Sequence, residues 1–229
     1  DLSDVCCGFQ DIAGDIHLEF KLATIDPEGN CTNGIDRIRS CETFVGDNGS
    51  KLNWWPRNKY LNVWVCAYAD GAAGYTLTPG SAAVFAAADG IVMQHTYVGA
   101  IGTGSVSRSR ALTHEVGHWI NLEHTWGGTN TPGVASNCGT DDGVSDTPNT
   151  VGWTICSLNG ATCGSPKDNV ENFMEYSYCS KMFTNGQRTR MIAARGENTW
   201  KGLYSQLALA GFALVVWGYG LARQQPVVL

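Results

Sequence analysis

The chain has 229 residues, of which 43% are apolar and 16% charged, so it is long enough to bury the core of one domain or of two lobes. Its net charge of −6 at pH 7 and its pI near 5.3 argue against a nucleic-acid partner, because phosphate binding needs a basic surface. Nine cysteines are many for a cytosolic protein of this size and indicate disulfides formed outside the cytosol.

The N-terminal stretch DLSDVCCGF lacks the basic start and apolar run of a signal peptide, so a secreted protein would be present here in a processed form. Cys6 and Cys7 are adjacent, and adjacent cysteines rarely bond to each other. We therefore expect their partners among Cys31, Cys41 and Cys66. Because the cysteine total is odd, at least one is free or paired with another chain.

Three stretches alternate apolar and polar residues as strands do. They are DIHLEFKLATID at 15–26, LNVWVCAY at 61–68 and GIVMQHTYV at 90–98. The turn-rich segment ADGAAGYTLTPG separates the second from the third. We interpret His17 and His95, which lie in these stretches, as structural. Strands followed by a helix predict an α/β lobe with the helix packed across the sheet.

A helix is predicted from about residue 107 to 120, after a Gly/Ser loop. His114 and His118 are four positions apart, so their imidazoles lie on one helix face and can bind one ion, for which zinc is suited. Glu115 lies about 100° around the helix from His114. There it can contact a water held by the metal, but it is poorly placed as a ligand.

His124 completes the sequence HEVGHWINLEH, which holds three of the five histidines of the chain. On a continuous helix it would lie roughly 15 Å along the axis from His114, out of reach of the same ion. The helix must therefore end before it. Asn121 is the expected break, because asparagine tolerates the left-handed conformation better than any residue except glycine.

The segment 126–172 shows no periodicity, only turns. Four cysteines lie in or just after it, which indicates disulfides; no CxxC pair supports a second zinc site, and sequence order alone allows three pairings. A helix returns at 182–196, after a threonine cap with Gln187 three residues on. The uncharged apolar tail at 202–222 favours a buried terminal segment over a membrane anchor.

The pattern HExxHxxNxxH followed by NFMEYS resembles the metzincin metallopeptidases, and within them the compact secreted microbial members of the pappalysin family. The segments FKLATIDPEGN, YLNVWVCAY, DGIVMQHTYVG, DDGVSDTPN and MFTNGQRTRM are also similar to family segments and occur in the family's order. The resemblance extends from about residue 10 to 195.

The resemblance implies a metzincin-like α+β or α/β fold. An N-terminal lobe would hold a mixed, twisted sheet and the active-site helix, and a cleft would separate it from a smaller, irregular, disulfide-stapled C-terminal lobe. Residues 1–229 would then form a single catalytic domain, with sub-domains 1–124 and 125–229.

The resemblance also implies site residues. Three histidines would bind zinc, Glu115 would act as general base and acid, Met174 would lie beneath the zinc, and Tyr176 would stabilise the oxyanion. The zinc ligands would be His114, His118 and His124. The bridges would be Cys138–Cys163 and Cys156–Cys179.

The acidic loop TDDGVSDTPN resembles a calcium site of the family, since carboxylate and carbonyl oxygens at close spacing suit Ca²⁺. Its candidate ligands are Asp141, Asp142, Asp146 and Thr147; a plain Asx-rich turn is the alternative. Beyond Glu175, the stretch YSYCSK lacks the acid that family members usually carry before the next cysteine and that the family links to cleavage before Arg or Lys. Glu175 is expected to face away from the pocket, which predicts a weaker basic preference.

The sequence thus predicts a secreted zinc-dependent endopeptidase that acts on protein or peptide substrates, with a pro-segment removed and no membrane partner. An inert zinc-bearing binding module of the same fold is the alternative, and hydrolysis of a small amide in a closed pocket is a third. Glu115 favours the enzyme, because a module that has lost activity loses its base.

Overall fold

The computed structural model describes residues 2–6, 8–196 and 212–218, and within them it contains eight strands and three α-helices. The strands are β1 Ala13–Gly14, β2 Phe20–Leu22, β3 Ile35–Asp36, β4 Tyr60–Cys66, β5 Gly74–Thr76, β6 Ile91–Gln94, β7 Phe183–Thr184 and β8 Phe212–Gly218. The helices are α1 Pro79–Val84, α2 Val106–Trp119 and α3 Asn185–Gly196.

Six strands form one mixed sheet in the order β2-β8-β4-β6-β5, with β3 also paired to β8. All pairings in it are parallel except that of β5 with β6, which is antiparallel. In β4 every residue but one is buried, as expected of a strand covered on both faces. The mixed sheet and the helix that follows it confirm the predicted fold class.

The predicted strand at 61–68 is found as β4, whereas the other two are shorter than predicted. His17 has a φ of 49° and its backbone N–H donates to Asp15 at 2.8 Å, so a turn replaces the first half of the predicted strand 15–26. The strand predicted at 90–98 ends as β6 at Gln94, where a 3₁₀ turn follows. The segment between β4 and β6, predicted as turns, contains both β5 and α1.

Helix α2 begins and ends within one residue of the predicted bounds. Its C-terminal half is buried, and the Trp119 indole at its end donates to the Asp89 carboxylate at 3.2 Å. Asp89 is itself buried and forms an ion pair with Arg57 at 3.0 Å. Because Asp89 precedes β6, this pair of contacts joins the end of α2 to the sheet.

The chain divides into two compact units, residues 1–17 with 120–194 and residues 18–119 with 195–229. The second unit holds the six-stranded sheet and α2. The first has little regular structure: β1 pairs with β7, and α3 follows directly. Thr184 and Gln187 cap α3 reciprocally, with N···O distances of 3.1 and 2.9 Å, which is the capping box that the sequence predicts.

Two interleaved disulfides staple the first unit. They join Cys138 to Cys163 and Cys156 to Cys179, with Cα–Cα distances of 5.0 and 5.7 Å, and this is the pairing that the resemblance implies. They cross-link the segment in which the sequence shows no periodicity. Covalent bonds therefore take the place of a backbone ladder there.

The remaining cysteines differ from expectation. Cys31, Cys41 and Cys66 are free, whereas Cys6 is disulfide-bonded, so the expectation that Cys6 pairs with one of these three is wrong. Cys66 lies in the buried strand β4, where burial raises the pKa of its thiol to about 11 and keeps it unreactive. Cys7 lies outside the described residues.

The apolar tail at 202–222 lies outside the described residues except where β8 crosses it. The prediction that this tail is a buried terminal segment therefore falls outside the described residues. In the part of the chain that the structure describes, no helix combines the length and the hydropathy that a membrane crossing requires.

Candidate metal centre

Three histidines converge on one point. Their possible ligand atoms, in His114, His118 and His124, all lie within 4.8 Å of one another. The two on α2 have their Nε2 atoms 3.1 Å apart, close to the separation of about 3.3 Å that two nitrogens have around tetrahedral zinc. Two of the three side chains are buried and the third is half-buried. This donor set and spacing fit a zinc ion.

His124 reaches the other two histidines because α2 ends before it, at Trp119. Asn121 has a φ of 75°, in the left-handed region, as the sequence predicts. His124 then places Nδ1 2.8 Å from the Thr129 carbonyl, which can only accept, so Nδ1 carries the proton and Nε2 the lone pair. The His124 ring stacks on Trp126 with centroids 4.4 Å apart and planes 3° from parallel, which holds its orientation.

Glu115 follows His114 directly and is buried, with 7% of its surface exposed. Burial raises the pKa of its carboxyl to about 8, whereas a cation bound beside it would lower that pKa. Strand β5 passes very close: a Cβ built on Gly74 would lie 3.2 Å from the Glu115 Cγ. The absence of a side chain at Gly74 therefore makes room for the carboxylate.

The turn at 172–176 brings Met174 and Tyr176 together with part of this site. Met174 is fully buried, and its backbone N–H donates to the Asn172 side chain at 2.9 Å. Asn172 exchanges two amide hydrogen bonds, of 2.9 and 3.1 Å, with Gln187 of the α3 capping box. The His124 and Tyr176 rings are nearly perpendicular, with centroids 4.9 Å apart, and Tyr176 keeps 37% of its surface exposed.

Sequence reasoning missed the role of Glu175 beside the site. Glu175, expected only to face away from the pocket, accepts a hydrogen bond from the Thr125 hydroxyl at 2.6 Å and one from the Trp153 backbone N–H at 2.7 Å. Glu175 is buried, and burial raises the pKa of its carboxyl to about 7. A carboxylate in a run of apolar and aromatic residues, NFMEYS, was the available signal that it needs internal partners.

The acidic loop uses most of its oxygens internally. Asp141 and Asp142 each accept from a backbone N–H two residues on, as in Asx turns. Thr147 also donates to Asp142 at 2.7 Å, whereas Asp146 accepts from Thr184 and from Gly186 at the start of α3. The other Asp142 oxygen, Oδ2, is buried without a hydrogen-bond partner, and burial raises the pKa of this carboxyl to about 7.

Comparison with protein families gives two matches. The sequence profile of peptidase family M43, described as pregnancy-associated plasma protein-A, matches residues 45–195, about two-thirds of the chain. A second profile, described as NnrU protein, matches residues 177–229 and so includes the apolar tail.

An extracellular metalloprotease of Colletotrichum graminicola is 33% identical over 143 residues, which cover 58% of this chain and 48% of that protein. The chain thus spans about half the length of this relative. Mature mirolysin of Tannerella forsythia, solved in complex with a cleaved peptide, is 32% identical with a TM-score of 0.73, covering 87% of this chain and 79% of its own. A promirolysin mutant from the same organism is also 32% identical, with a TM-score of 0.79 over 91% and 72% of the two chains.

Proposed function

The chain belongs to the pappalysin family of metallopeptidases, and on that premise we propose that it is a secreted zinc endopeptidase that hydrolyses peptide bonds in proteins. The observation that carries the proposal is the convergence of three imidazoles beside a buried glutamate. Each of these residues has a place in the hydrolysis of an amide.

His114, His118 and His124 would hold the zinc ion. When bound, zinc supplies an open fourth position at which the pKa of a water falls to about 7. The hydrogen bond from His124 to the Thr129 carbonyl supports this assignment, because it fixes the imidazole tautomer in which Nε2 can bind a metal.

Glu115 would accept a proton from the attacking water and return it to the leaving amine. Its place directly after a ligand, on the neighbouring part of the same helix, supports this role, because a base must reach the water without occupying a ligand position. Tyr176 would donate a hydrogen bond from its phenol to the oxygen of the attacked carbonyl, and its edge contact with His124 supports that position.

The substrate would bind as an extended peptide along β5. This strand ends the sheet order, so among the described strands it pairs with β6 alone, and its outer edge can pair with another chain. Because Gly74 of β5 lies against Glu115, a peptide on that edge would pass the base. The cleaved peptide bound to mature mirolysin supports a peptide substrate here as well.

Secretion is supported by the names of the relatives, which are extracellular metalloproteases, and by the two disulfides. A pro-segment, removed in the active form, is supported by the solved promirolysin. Residues 1–229 would act as one catalytic domain, with the zinc helix contributed by 1–124 and the disulfide-stapled part by 125–229.

A calcium ion at the acidic loop is a separate proposal. It is supported by the buried Oδ2 of Asp142, which has no hydrogen-bond partner and would be satisfied by a cation. Asp141, Asp146 and Thr147 would complete the site only by giving up some of their present hydrogen bonds. Added Ca²⁺ should raise the Tm of the wild type but not of Asp142→Asn; an equal rise in both would contradict the proposal.

The decisive experiment compares the wild type with Glu115→Gln, and measures zinc content and cleavage of a protein substrate. We expect one zinc per chain in both proteins, and cleavage by the wild type alone, because Glu115 is not a ligand. A strong chelator should abolish the wild-type activity. Wild-type cleavage without metal, or near wild-type cleavage by Glu115→Gln, would overturn the mechanism. A wild type that binds zinc but cuts nothing would instead indicate an inert binding module.

A further inference from the structure

Two three-residue segments of the first unit, 124–126 and 174–176, lie side by side. The Thr125 backbone N–H donates to the Met174 carbonyl at 3.4 Å, and the Thr125 hydroxyl donates to Glu175 at 2.6 Å. The middle residue of one segment thus contacts the other segment through both its backbone and its side chain.

Aromatic rings pack on either side of this contact. The Tyr176 ring is nearly perpendicular to the His124 and Trp126 rings, and its centroid lies 4.9 and 5.0 Å from theirs. Because His124 and Trp126 also stack on each other, the three rings form one cluster. A shift of one segment past the other would therefore move a candidate zinc ligand and Tyr176 relative to each other.

Glu175 joins these segments to a third part of the chain. Its second oxygen accepts from the Trp153 backbone N–H at 2.7 Å, so each carboxylate oxygen has a donor. Glu175 and Thr125 are 3% and 2% exposed, so bulk solvent does not reach their contact. None of the ion pairs within the described residues includes Glu175, so neutral donors alone hold it.

A carboxylate satisfies both donors at once, because each of its two oxygens accepts one of them. Glutamine has the same length but only one oxygen, so its amide nitrogen would face either the Thr125 hydroxyl or the Trp153 N–H. A threonine hydroxyl can rotate to accept, whereas a backbone N–H cannot. The substitution therefore leaves either the Thr125 hydroxyl proton or the Trp153 N–H without the acceptor that it has now.

We propose that Glu175 is a positioning residue of the metal centre, which holds His124 and Tyr176 in fixed register by binding Thr125 and Trp153 together. The effect on turnover rests on the proposed function, whereas the effect on zinc affinity does not. A residue that acts on a metal ligand through a neighbour typically changes metal affinity by about 10- to 100-fold when it is replaced.

The test compares Glu175→Gln with the matched control Glu171→Gln. Glu171 is also buried and lies four residues earlier, but it contacts Cys6 and Lys181 instead, at 2.8 and 3.1 Å. Zinc affinity is measured by competition with a chelator, and kcat and KM with a reporter peptide. For Glu175→Gln we expect zinc binding about tenfold weaker and kcat about tenfold lower, with KM within about twofold of wild type.

Glu171→Gln should lower Tm but leave zinc affinity and kcat within about twofold of wild type. If it reduces both as much as Glu175→Gln does, the effect is one of general stability and the proposal is overturned. Unchanged zinc affinity and kcat in Glu175→Gln would overturn it too.

A second pair of variants changes Thr125, the partner of Glu175 in this hydrogen bond. These variants test the proposal even if Glu175→Gln does not fold. Thr125→Val removes the hydroxyl at nearly constant volume and should weaken zinc binding. Thr125→Ser keeps the hydroxyl and should bind zinc as tightly as the wild type does. Equal zinc affinity in both would overturn the proposal. A wild type that binds zinc without cutting peptides would refute the proposed function, while the zinc measurements would still test Glu175.

Discussion

At Gly74 of β5, the addition of a single methyl group should disturb the surroundings of Glu115. A Cβ built there would lie 2.5 Å from the Met93 sulfur, 2.9 Å from the Val92 carbonyl oxygen and 3.2 Å from the Glu115 Cγ. Met93 is fully buried, and Val92 is paired with Tyr75 in the sheet. Neither neighbour can move freely, so Gly74→Ala should displace β5, Glu115 or both.

The expected cost follows from overpacking, which typically destabilises a protein by about 1–3 kcal/mol. In a chain of this size that corresponds to a fall in Tm of roughly 2–12 °C. A misplacement of about 1 Å at a reacting group can cost about 100-fold in rate, so we expect kcat to fall about 10- to 100-fold. Zinc content should not change, because Glu115 is not a ligand.

Urea unfolding and peptide-cleavage kinetics measure the two effects. Gly80→Ala in α1 is the matched control, because a Cβ at that exposed glycine would meet nothing within 4 Å. The control should be neutral or slightly stabilising, since alanine favours a helix more than glycine does. If Gly74→Ala unfolds and turns over like the control, the close approach of β5 to Glu115 is not a constraint and our reasoning is wrong.

Replacing Cys138 and Cys163 by serine opens a loop of 25 residues and should lower the free energy of unfolding by about 3–4 kcal/mol, whereas a loss under about 1 kcal/mol in urea unfolding would count against this. Lys51 is buried, and desolvation lowers its pKa from 10.5 to about 8, so the unfolded chain binds more protons between those values. The free energy of unfolding of the wild type should therefore rise by up to about 3 kcal/mol relative to that of Lys51→Met as pH rises from about 8 to 10.5. Equal pH dependence of the two free energies in chemical denaturation would refute this prediction. Cleavage-site profiling should find apolar residues tolerated after the cut bond, because Glu175 is engaged by Thr125 and Trp153; cuts almost solely before Arg or Lys would contradict this.

Helix α2 was predictable because its determinants are local. The spacing of His114 and His118 sets their shared face, and Asn121 ends the helix with its own backbone conformation. The capping box of Thr184 and Gln187 is local in the same way. Each of these features involves residues at most four positions apart, and no distant contact opposes them.

Strand β5 was not predictable, because it depends on a partner. Gly74 begins it, glycine has low strand propensity, and only three residues take part. Its extended conformation comes from pairing with β6, which lies 15 or more residues further along the chain. The same dependence on distant partners explains Glu175, whose hydrogen bond to Thr125 joins residues 50 positions apart. A sequence pattern marks a buried carboxylate but does not identify its donors.

The order of the bridges 138–163 and 156–179 has a consequence for the resistance of the chain to proteolysis. The bridges 138–163 and 156–179 overlap, so a single cut anywhere between residues 138 and 179 leaves both fragments covalently joined. Two cuts, one between residues 138 and 156 and one between residues 163 and 179, still leave three pieces in a single linked molecule. With nested bridges, the same two cuts would release the middle piece. With consecutive bridges, a single cut between the two bridges would separate the fragments. The cut ends of a nicked loop therefore stay tethered and can return to their places, which would protect the secreted protease proposed above from its own cleavage.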